Sequence, residues 1–110
     1  MLATLVFGGR LTFNRIIESL KDFFSTKSDL HILYGSFHGH RGSWKLSEGS
    51  EGKSLGLSGI LEQWDLAKQN GRARHLLIVS DACESAPMAK EATGLARTDI
   101  SVQASFASYW

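Results

Sequence analysis

The chain has 110 residues, 43% of them apolar and three of them tryptophan. That is enough for one domain, residues 1–110, with a real hydrophobic core, and it argues against a disordered chain. Twelve Lys and Arg against eleven Asp and Glu leave a formal charge of +1, which excludes nucleic-acid binding through a broad basic face.

The first segment, Leu2-Ala3-Thr4-Leu5-Val6-Phe7, is a short apolar run closed by Gly8-Gly9. It reads as a strand, because it lacks the basic start and long apolar body of a signal peptide. Thr12 then suits a helix N-cap. Phe13, Ile16, Ile17, Leu20, Phe23 and Phe24 follow at helical spacing, with Asn14, Glu18, Lys21 and Asp22 on the other side. Thr26-Lys27-Ser28 ends this helix. Leu30 to Gly39 looks like a buried strand that delivers His38 and Gly39 at its end.

A polar, glycine-rich stretch runs from Gly39 to Ser54 and reads as a long loop, pinned to the body by Trp44 and Leu46. A second helix starts near Leu57-Ser58, carries Ile60, Leu61, Trp64 and Ala67 as its apolar stripe, and stops at Asn70-Gly71. Leu76-Leu77-Ile78-Val79-Ser80 is a second buried strand, leading through Asp81 to Cys83. Ser85 is placed to cap a third helix, with Pro87 in its first turn and Gly94 near its end. Ile100, Val102, Ala104 and Phe106 alternate with polar residues, as a half-exposed strand near a sheet edge should.

The order is β-α-β-loop-α-β-α-β. It predicts an α/β fold with a mostly parallel sheet and helices on both faces. Right-handed crossovers bring the strand C-termini to one rim, where binding and catalytic groups collect. His38 and Cys83 both fall on that rim.

A cysteine needs little help to become a nucleophile, since its thiolate forms near neutral pH. A histidine can carry the proton for the leaving group. Backbone N–H groups at a strand-to-helix turn can hold an oxyanion. A lone cysteine is more often a small core residue, and a histidine before a glycine is weak by itself. Each at the end of its own buried strand, the two argue better together.

Tyr34-Gly35-Ser36-Phe37-His38-Gly39 followed by Asp81-Ala82-Cys83-Glu84-Ser85-Ala86 resembles the caspase-like cysteine peptidases, the superfamily of caspases, metacaspases and CHAT domains. The separation of the two residues, 83 − 38 = 45, suits the spacing of about 50 in caspases. The resemblance implies a three-layer α/β/α fold and a peptidase that hydrolyses peptide or protein substrates. It implies His38 as general acid and base, Cys83 as nucleophile, and Gly39 as an oxyanion donor. It also implies that Asp81 lines a substrate pocket, selecting Arg or Lys by charge pairing. A turn-capping carboxylate is an equal alternative for Asp81.

The sequence lacks some family strands. One would precede the first strand in the chain and lie in the sheet between it and the His38 strand; another would follow the last and lie between it and the Cys83 strand. A core or fragment of a larger parent protein is therefore one expectation. An inactive interaction module, or self-association, is the alternative to catalysis.

No cofactor or metal is expected. Gly52-Lys53-Ser54 lacks the earlier glycine of a phosphate loop, where Ser47 stands instead. His38, His40 and Cys83 lack the paired spacing of a zinc site. His31 and His75, at strand starts, read as structural. No apolar run approaches the roughly 20 residues that span a bilayer, so no membrane partner is expected. The single cysteine, which cannot form an internal disulfide, points to a reducing, cytoplasmic location.

Overall fold

A computed structural model describes residues 2–8, 12–40, 42–46, 54–71, 73–82 and 84–104. Four parallel strands form the main sheet: β1 (Leu2–Gly8), β2 (Ser28–Phe37), β6 (Ala73–Ala82) and β7 (Ile100–Ala104), in the order β1-β2-β6-β7. Three helices connect them: α1 (Phe13–Ser25), α2 (Leu57–Gln69) and α3 (Ala86–Leu95). No described helix is long and apolar enough to cross a membrane.

The local signals hold. The Thr12 hydroxyl accepts from the Arg15 N–H at 3.3 Å, capping α1. Ile16, Leu20, Phe23 and Phe24 are its buried stripe. Gly71 takes a left-handed φ of +70° just beyond α2. Pro87 sits in the first turn of α3, where its missing N–H costs nothing. At the far end the left-handed residue is Ala96, at φ +53°, rather than Gly94.

One correction concerns residues 39–54, expected to be loop. Their described part forms a second, three-stranded sheet with β3 (Gly39–His40), β4 (Ser43–Lys45) and β5 (Ser54–Leu55). Trp44 drives it, because the indole is fully buried and takes the strand down with it. Leu46 packs against the same core.

Register explains how the main sheet is covered. Ala3, His31, Leu76 and Ile100 form one row across it, and Leu5, Leu33, Ile78 and Val102 the next. These rows face the helices. Phe23 and Phe24 of α1 and Trp64 of α2 all meet the His31 ring edge to face, at centroid distances of 5.1, 6.0 and 5.5 Å. The His31 Nε2–H donates to the Thr26 carbonyl at 2.8 Å, so His31 is a core residue. α3 packs against β7 and α2.

The described helices therefore share one face and supply one of the two helical layers expected. The reason is the strand order. Every crossover steps in the same direction, and right-handed crossovers in one direction stay on one side. The opposite face carries the rows Thr4, Ile32, Leu77, Ser101 and Val6, Tyr34, Val79, Gln103. No described helix covers it.

The strands that the resemblance implied between β1 and β2, and between β6 and β7, leave no gap. β1 pairs directly with β2 over seven residues, and β6 with β7 over five. The sheet closes hydrogen bond to hydrogen bond without them.

Candidate functional site

β2 and β6 end level with each other. Phe37 is the register partner of Ala82, and the next residues in the chain are His38 and Cys83. Cys83 itself lies outside the described residues. His38 is exposed to solvent at the C-terminal rim, and its carbonyl accepts from the Lys45 N–H at 2.7 Å. Gly39 follows in β3, paired with Trp44.

The segments that leave the two strands are fastened together. The Gly42 N–H donates to the Glu84 carbonyl at 2.9 Å. Glu84 sits in the left-handed region at φ +57°, a conformation that costs a non-glycine residue free energy and persists only where its surroundings enforce it. Gly42 is also left-handed, at φ +84°, and a Cβ there would lie 2.9 Å from the Met88 nitrogen. This turn therefore needs glycine twice over, for its backbone angle and for its closeness to α3.

Beneath the rim runs a buried chain of hydroxyls. The Ser85 hydroxyl donates to the Ala82 carbonyl at 2.5 Å and accepts from the Ala82 N–H at 3.2 Å. With its proton committed there, it accepts from the Ser80 hydroxyl at 2.8 Å. Ser85 does stand at the N-cap position of α3, but its side chain makes no cap hydrogen bond. It turns back to bind the end of β6 at Ala82 instead.

Asp81 is half-buried on the open face of the sheet, and its Oδ2 accepts from the Tyr34 hydroxyl at 2.8 Å. That hydrogen bond, aided by desolvation and by the carboxylate's charge, raises the Tyr34 phenol above its ordinary pKa. Asp81 thus has a neighbour on the very strand that leads to His38. Tyr34, Trp44, Ser80 and Ser85 were not legible as one support. Trp44 carried a signal as a tryptophan in an otherwise polar stretch, and Ser85 as a helix cap, but neither pointed to the other.

Other groups stand apart. Among the described residues, no three or more His, Cys, Asp or Glu converge as metal ligands. The side chain of His40 lies outside the description, as do Gly52 and Lys53. A hollow of about 210 Å³ between α1 and α2 is lined by Lys21, Ser25, Gln63, Leu66, Ala67 and Asn70. It shares no residue with the rim.

The fold and rim define a parallel α/β domain with an exposed histidine at a strand end. No protein-family model, no curated protein and no solved structure matches the chain.

Proposed function

We propose that this chain is a cysteine-type endopeptidase domain of the caspase-like kind, working through a His38/Cys83 dyad. The single observation that supports it most is the register, Phe37 level with Ala82, which ends the two strands side by side just before the two reactive residues. The Gly42–Glu84 hydrogen bond adds to it, because it limits how far the two segments can separate.

In this reading the Cys83 thiol gives its proton to His38, and the sulfur attacks the scissile carbonyl and forms a C–S bond. The carbonyl electrons move onto oxygen, held by the backbone N–H groups of Gly39 and Cys83. As the tetrahedral species collapses, the C–N bond breaks and His38 gives a proton to the leaving amine. Water then adds to the thioester with loss of a proton to His38. The C–S bond breaks, releasing the acid and restoring the thiol. Asp81 selects a basic residue before the cleaved bond by charge pairing. A reducing, cytoplasmic setting keeps the thiol available.

Labelling with iodoacetamide and with an acyloxymethyl ketone tests the dyad. Rapid labelling of Cys83 that is lost in His38→Ala is the expected result. Cleavage of Arg-ended over Asp-ended reporter peptides is expected for Asp81, and the reverse preference would overturn its role.

A second reading is a non-catalytic interaction module, and one observation favours it. The sheet face opposite the helices exposes Leu2 and Val6 by 58% and 65%. Equal, slow labelling in the wild type and in His38→Ala would select this reading.

A further inference from the structure

Among the described residues the main sheet has two edges, β1 and β7, and they differ in chemistry. β7 is five residues long and exposes the polar Ser101 and Gln103. β1 reads Leu-Ala-Thr-Leu-Val-Phe-Gly, with no charge, no proline and one polar side chain. It runs in unbroken register with β2, so no bulge twists the edge away. An edge strand presents a row of unpaired N–H and C=O groups, and soluble proteins normally blunt such a row with lysine, proline, a bulge or a short strand. β1 uses none of these. Leu2 and Val6, two of the most exposed large apolar residues of the described chain, lie on this strand.

We infer that β1 is a pairing edge whose occupant is β1 of a second copy of this chain. The two strands run antiparallel about a two-fold axis perpendicular to the sheet, making one continuous eight-stranded sheet. A two-fold contact requires a surface that complements itself, and β1 does so in one register above others. With Thr4 opposite Thr4, Leu2 faces Val6 on both sides of the axis. Ala3 then faces Leu5 on the helix-covered side. Sliding by two residues in either direction breaks the Leu2–Val6 pairs and sets Thr4 against one of those apolar side chains. Sliding by one sets covered-face against open-face residues, which strand pairing forbids.

Charge also favours a copy as occupant. No ionised side chain lies on β1, so no like charges meet across the axis. Five paired residues make a seam about 17 Å long and about 10 Å deep. That is modest beside the roughly 800 Å² per partner of a standard complex. The dimer therefore forms in a concentration-dependent way.

Sedimentation velocity of the full chain, from about 1 µM to about 1 mM, reads this directly. The expected result is a monomer–dimer equilibrium within that range. Thr4→Lys, exposed at the edge and compatible with the folded monomer, should weaken dimerisation at least about tenfold while leaving the circular dichroism and Tm unchanged at concentrations where the wild type is monomeric. In a Cys83→Ser background, Thr4→Cys on the axis should form a disulfide dimer under mild oxidation, and Ser101→Cys on the β7 edge should not. A chain that stays monomeric throughout, with no Thr4→Cys crosslink, would overturn the inference. So would a dimer that Thr4→Lys leaves intact.

Discussion

The indole N–H of Trp44 donates to the Ser80 hydroxyl at 2.7 Å, with both residues fully buried. From Ser80 the hydrogen bonds continue to Ser85 and then to the backbone of Ala82. A tryptophan from the segment after His38 is thereby joined to the turn after β6. The candidate site rests on this support, and buried networks of this kind bind their members together only when all are satisfied.

Ser85→Ala removes the hydroxyl and leaves the Ala82 N–H without that partner in the interior. A loss of about 1–3 kcal/mol is expected in urea unfolding. Trp44→Phe should cost a similar amount. If the chain acts as a unit, the double variant will lose less than the sum of the two, by about 0.5 kcal/mol or more. Simple additivity would show that the two ends are independent.

Gly35→Ala tests the packing above the sheet. A Cβ at Gly35 would stand 2.4 Å from the Trp44 ring, and Trp44 is fixed between its hydrogen bond and the stacked Phe37 ring at 5.1 Å. A destabilisation of about 1–3 kcal/mol is expected, together with a change in tryptophan fluorescence. A neutral substitution would show that β4 is loosely seated.

Asp99 governs acid stability at the other end of the molecule. It accepts from Arg97, from Lys68 at 2.9 Å and from the Trp64 indole at 2.9 Å. The Arg97 hydrogen bond, opposed by burial and helped by Lys68 and Trp64, holds its carboxyl well below the ordinary 3.8. Below that value the unfolded chain takes up a proton that the folded chain refuses. Stability is therefore intact above about pH 4 and falls as the pH drops towards the folded value. Asp99→Asn should cost about 1–3 kcal/mol at neutral pH and flatten the acid limb of Tm against pH. An unchanged acid limb would refute this assignment.

The Tyr34–Asp81 pair makes an alkaline prediction. The Tyr34 phenol titrates above its ordinary 10.0 because its proton is held by the carboxylate. Its contribution to stability is fully present below 10.0 and is lost as the pH rises through the folded value. In Asp81→Ala the phenol should titrate lower than in the wild type, followed by NMR of the tyrosine ring. No downward movement would mean that the hydrogen bond is not held in solution.

Much of this fold was legible because its signals are local. Thr12 caps a helix and the apolar residues of α1 repeat at the helical period, so α1 was readable from residues within one or two turns of each other. β2 and β6 showed themselves as short apolar runs. The level ending of β2 and β6 was foreseen in kind, as strand ends gathering on one rim. Ser85 was read at the right position with the wrong partner, because its hydroxyl folds back onto Ser80 and Ala82 of β6. The 39–54 segment looked like loop because polar residues and glycines dominate it, although the buried Trp44, with Leu46 and Leu55 beside it, holds the described part against the core.

By itself the sequence determined the alternation of strand and helix, the parallel sheet, and His38 at the end of its strand, since hydrophobic period and chain direction follow from neighbouring residues. Tertiary structure decided the strand order, and with it the choice of a single face for the described helices. That order depends on which strands hydrogen-bond across long stretches of chain. It also decided that Trp44 reaches Ser80 and that β1 stands at an edge, since both depend on contacts between residues distant in sequence.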